Sequence, residues 1–147
     1  MRNPELARDY IQRAANRLRA VDVLFDVESW PDVVRESQEI VELALKALLR
    51  SCGVDPPRIH DVSEVLLAER ARLPRVIQVE VDELVAASRS LRRDRELAFY
   101  GAEDLTPSRF YSREDADAAR ASARRVVGSV QPHISEPREV SEENDRR

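Results

Sequence analysis

Arg89, Arg92, Arg93 and Arg95 crowd into one short stretch of a 147-residue chain whose net charge is −4. Read on a helix, Arg89, Arg92 and Arg93 fall at i, i+3 and i+4 and share a face, with Arg95 close behind. Three cations at that spacing repel one another unless anions lie between them. Asp94, Glu96, Glu103 and Asp104 could supply those anions, which would make the patch a solvated, ion-paired face. A phosphate could supply them from outside, because a guanidinium fork matches its oxygens. Arg120, Arg124 and Arg125 form a second, weaker basic strip.

Other chemistries are poorly provisioned. The histidines are His60 and His133, and the single cysteine is Cys52, so no His/Cys metal cluster can be assembled and no metal or cofactor is expected. No Gly-rich phosphate loop and no Gly-x-Ser-x-Gly elbow occurs. His60 precedes a helix start, where it either bonds backbone or serves in acid/base work. Glu114, Asp115 and Asp117 read as the acidic first turn of a helix rather than a metal site.

Composition narrows the setting. Charged residues make up 35% and aromatic ones 5%, which suits a helical protein with long wet faces. Three glycines leave little material for hairpin turns. One cysteine precludes an intrachain disulfide and fits a reducing, cytoplasmic setting. No apolar run nears the ~20 residues of a membrane span, and Met1–Glu5 lacks a signal-peptide core. Without a global basic field, any nucleic acid must be met by a local patch. Of the cationic residues only Lys46 is not arginine, a bias that genome base composition can also produce.

The elements that must position these residues are all helices. Asn3-Pro4-Glu5 opens the first, with Leu6, Tyr10, Ile11, Ala14, Leu18, Val21 and Phe25 at helical spacing to about Val27. Pro31 disfavours a helical Trp30; that ring is read as a lid over the bundle end, or else as a stacking surface for a base. The second helix, Asp32 to Cys52, carries an apolar stripe broad enough to touch neighbours on several sides, so it is placed at the centre. Glu42 and Lys46 pair on its wet face, and Gly53 ends it. Pro56-Pro57 stiffens the next connection, and Asp61-Val62-Ser63-Glu64 has capping-box spacing. A third helix runs from Val62 to about Arg72 and a fourth from about Arg75 to Phe99, with Ile77, Val81, Leu84, Val85, Ser88 and Leu91 inward. Tyr100 to Tyr111 reads as a loop. Ser112 starts a fifth helix whose inner face is Ala116, Ala119, Ala123, Val126, Val127 and Val130. The expectation is an all-α, up-and-down bundle of four to five helices over residues 1–131, with 132–147 a polar, disordered tail.

Three blocks together resemble the HEPN (higher eukaryotes and prokaryotes nucleotide-binding) domain: Glu42-Leu43-Ala44-Leu45-Lys46-Ala47-Leu48-Leu49, His60-Asp61-Val62-Ser63 after the Pro turn, and Arg95-Glu96-Leu97-Ala98-Phe99-Tyr100-Gly101. The resemblance spans roughly Leu6 to Val130. It implies a helical bundle, commonly a homodimer, often paired with a small nucleotidyltransferase, sometimes as toxin and antitoxin. Many members resemble metal-independent ribonucleases carrying Arg-x4–6-His. In this chain neither His60 nor His133 follows an arginine at that spacing, and the slot after Arg95 holds Tyr100. Tyrosine titrates near pH ~10 and is a poor base at neutrality, though it can donate a hydrogen bond. The resemblance therefore implies a non-enzymatic module binding a nucleotide, RNA or partner through Arg89, Arg92, Arg93, Arg95 and Tyr100. The alternative is a ribonuclease using Arg95 with Tyr100 or His60.

Overall fold

The computed structural model describes residues 4–59, 61–93 and 106–134, with the side chains of 91–93 left aside. Six α-helices occur among the described residues: α1 (Pro4–Asp26), α2 (Trp30–Ser51), α3 (Ser63–Ala68), α4 (Arg75–Arg93), α5 (Pro107–Phe110) and α6 (Arg113–Val130). Four of them are long, no strand is present among these residues, and the architecture is an all-α bundle.

The breadth of the α2 stripe finds its explanation in the packing. This helix touches α1, α4, α5 and α6. Ile40, Ala44, Leu45, Ala47, Leu48 and Leu49 are all fully buried along it. Apolar burial on so many sides is the main stabilising term of the fold. Opposite α2, α6 presents Ala116, Ala119, Ala123, Val126, Val127 and Val130, all buried. Alanine at the contact carries nothing beyond Cβ, so the two backbones can approach closely.

Both ends of the α1–α2 hairpin close in the same way. At the end of α2, Val54 N–H donates to Leu49 O (2.9 Å) and Gly53 N–H to Arg50 O (3.1 Å), with Gly53 at φ 79°. At the end of α1, Ser29 N–H donates to Leu24 O (2.9 Å) and Glu28 N–H to Phe25 O (3.0 Å), with Glu28 at φ 61°. This paired pattern satisfies the last carbonyls of a helix and needs a left-handed residue. Glycine takes that conformation freely, whereas glutamate is strained by its Cβ.

Several boundaries differ from the sequence expectation. Trp30 is the first residue of α2 rather than a linker residue. Its ring meets Phe25 edge to face at 5.0 Å, half-buried at the end of the bundle. The α-helical part of α3 stops at Ala68, and Arg70–Arg72 tighten into a 3₁₀ turn. Pro74 holds Leu73 extended, at φ −75° and ψ 152°, which halts the helix before it. The stretch read as a loop up to Tyr111 contains the one-turn helix α5, opened by Pro107. Of the fourth helix, 94–99 lie outside the described residues, as do Asn3 and the segment 135–147. Ile134, beyond α6, is buried against the core.

Candidate functional site

A chain of side-chain hydrogen bonds links the start of α3 to the last turns of α4. Asp61 Oδ1 accepts from the Ser63 backbone N–H at 3.0 Å and from the Ser88 hydroxyl at 3.1 Å. The Ser63 hydroxyl in turn accepts from Arg89 Nε at 3.2 Å. Ser63 and Ser88 are buried, Asp61 is half-buried and Arg89 is exposed. Asp61 thus caps the incoming helix, but its reach to Ser88 replaces the reciprocal Asp61–Glu64 box expected from the sequence. The α3 start carries no such box.

The consequence falls on Arg89. Bonding through Nε fixes the plane of the guanidinium while its two Nη groups make no bond to another described residue. A planar fork held in this way has lost much of its rotamer freedom before any anion arrives. Arg92 and Arg93 follow at i+3 and i+4 on the same helix. Arg95, Tyr100 and His60 lie outside the described residues. The geometry of the predicted patch therefore rests on Arg89 and on the α4 register.

Ser63 and Ser88 were not singled out as site residues. The available signal was Ser88 itself, a hydroxyl within an otherwise apolar stripe. A buried hydroxyl needs a partner, and that need pointed across to another element.

Two of the three arginines of the second basic strip, Arg120 and Arg124, are spent internally. Arg120 bonds Asp22 at 3.3 Å and Asp117 at 3.1 Å, and its guanidinium carbon sits 3.6 Å from the Phe25 ring centroid. Arg124 also pairs with Asp22. Arg113 lies over Phe25 at 5.3 Å and Trp30 at 6.0 Å. These cations clasp α1, the start of α2 and α6 together. A further clasp joins α1 to α2: Arg17 reaches Glu36 at 3.1 Å and Glu39 at 3.2 Å. Burial, the dominant cause, raises the Glu36 carboxyl above its ordinary value of 4.5; Arg17 lowers it, Glu39 raises it and Arg35 lowers it.

No group of three or more His, Cys, Asp or Glu among the described residues could hold a metal ion. No helix among them is long and apolar enough to cross a membrane.

The family model for the HEPN domain matches residues 7–133. The chain belongs to the HEPN domain family. The match runs from the first turn of α1 to the end of the 3₁₀ turn after α6, so it takes in every helix of the bundle. No curated protein and no solved structure matches the chain.

Proposed function

We propose that this HEPN domain is a recognition module rather than a nuclease, acting in the cytoplasm as a homodimer. It engages a nucleotide or RNA phosphate through Arg89, Arg92, Arg93 and Arg95, with Tyr100 donating a hydrogen bond. A small nucleotidyltransferase, as in a toxin–antitoxin pair, is the protein partner this reading implies. The observation that carries the proposal is the Arg89 guanidinium, held by Ser63 through Nε with both Nη groups directed to no other described residue. Calorimetric titration with mononucleotides and short RNAs tests it. Arg89→Ala should weaken binding by about tenfold or more, the scale of a charge-assisted hydrogen bond. Absence of any nucleotide or RNA binding by the unaltered protein would remove the phosphate reading.

A second reading is a metal-independent ribonuclease using Arg95 with Tyr100 or His60. It is favoured by the four residues that separate Arg95 from Tyr100, the spacing of Arg-x4–6-His. RNA cleavage in the presence of a chelator, lost in Arg95→Ala, would establish it. Equal cleavage by that variant would eliminate it.

A further inference from the structure

The connection between α2 and α3 carries a cation outside the patch on α4. Val54 and Val62 are buried and bracket the segment 55–59. At its start the Val54 N–H donates to Leu49 O at 2.9 Å, and Asp55 meets Arg50 at 3.7 Å. At its end Asp61 caps Ser63 and reaches Ser88 on α4. Between these anchors Pro56 and Pro57 fix two consecutive φ angles. Held at both ends and stiffened in the middle, the segment is a short arm with little freedom to lose.

Arg58 is the cation of this arm. It is exposed and makes no ion pair or hydrogen bond with another described residue. Other arginines are exposed too, among them Arg19, Arg75 and Arg125. Arg58 differs in its tether. It precedes Asp61 by three residues, a span of at most about 11 Å, and Asp61 is bonded to Ser88, the residue before Arg89. The arm and the last turns of α4 are thus two walls joined through one hydrogen bond, each carrying an exposed arginine. Against the carboxylates of Asp61 and Glu64 stand Arg58, Arg89, Arg92 and Arg93, a local excess of positive charge.

We infer that Arg58 holds a second phosphate of the ligand whose first phosphate lies on Arg89. The inference rests on the phosphate reading of Arg89 above and adds the residue that tells two phosphates from one. A guanidinium offers paired N–H donors to phosphate oxygens, and such charge-assisted bonds are strong. Because the arm is preset, only the Arg58 side chain is left to order on binding. Two neighbouring phosphates occur in a strand of RNA and in a nucleoside diphosphate.

Calorimetric titration of the full chain with adenosine monophosphate, adenosine diphosphate and a diadenylate bearing a terminal phosphate tests this. Arg58→Ala should weaken at least one of the two-phosphate ligands by about tenfold, and adenosine monophosphate by less than about twofold. The ligand that shows the loss names the source: the diadenylate assigns a strand of RNA, the diphosphate a nucleoside diphosphate. Arg58 is exposed, so its replacement should leave the thermal midpoint unchanged. An equal loss for all three ligands would mean a diffuse field rather than a contact and would overturn the inference. So would unchanged affinity for both two-phosphate ligands in Arg58→Ala; if Arg89→Ala still weakened them, the phosphate reading would stand. No binding of any of the three by the unaltered protein would overturn both.

Discussion

Ser88 on α4 and Asp61 at the start of α3 are 27 residues apart in sequence and joined by a 3.1 Å hydrogen bond. That bond, with Asp61 capping Ser63, places the Ser63 hydroxyl where Arg89 meets it. Asp61→Ala should therefore cost about 1–3 kcal/mol of stability, from a lost cap and an unpaired buried hydroxyl. It should also weaken phosphate binding without touching the ligand. Denaturant titration beside calorimetry checks both, and full stability in Asp61→Ala would discount the clasp.

Leu45 tests the central place of α2. It is fully buried, so Leu45→Ala should cost about 2–5 kcal/mol through lost transfer energy and a residual cavity. An urea midpoint indistinguishable from wild type would contradict the packing.

The core of α2 also holds polar atoms. Ser37 Oγ and Gln38 Oε1 are buried with no hydrogen-bond partner among the described residues, a costly state for either atom. Replacing Gln38 by Met removes the unpaired oxygen at similar volume. The expected outcome is equal or higher thermal stability; a large loss would show that the amide has a partner in solution.

Glu36 sets a pH dependence. Its carboxyl is raised above 4.5 chiefly by burial, so the folded state holds that proton more tightly than the unfolded chain. Its contribution to stability is greatest below 4.5 and falls as pH climbs through the raised value. Glu36→Gln cannot ionise and should flatten the stability profile between 4.5 and that raised value. Denaturation midpoints across pH for the two proteins should diverge there; parallel profiles would refute the assignment.

Glu28 offers a stabilising substitution. At φ 61° it occupies the position that Gly53 fills at the end of α2. Glu28→Gly should relieve the strain and gain up to about 1 kcal/mol, offset in part by greater freedom of the unfolded chain. Glu28→Val should lose stability, and a rise in melting temperature for that variant would be incompatible with the turn.

How much of this was legible varies by element. The α2 stripe, its Gly53 stop and the Glu42–Lys46 pair, found at 2.9 Å, are local and read directly. So is the start of α6, where Ser112 and Asp115 form a reciprocal capping box. Glu28 was not legible, because glutamate carries no propensity for the left-handed turn it adopts. Trp30 was placed two residues outside its helix, which was read from Asp32, within the usual uncertainty of a terminus. The Asp61–Ser63–Ser88–Arg89 chain was least visible, since its partners meet only after α3 and α4 pack. The inward Ser88 was its single trace. For Arg120 and Arg124, spacing announced a basic strip, and only the fold reveals Asp22 beneath them.

The place of α6 against α1 and α2 bears on synthesis. The first two helices are joined by a three-residue turn and can pair soon after they emerge, whereas α6 is made last of the long helices. At ribosomal rates of about 5–20 residues per second, the flank of α2 that α6 covers stays wet for roughly 4–16 s. A nascent chain that stalls in that interval presents bare aliphatic surface, and is the form most in need of a chaperone.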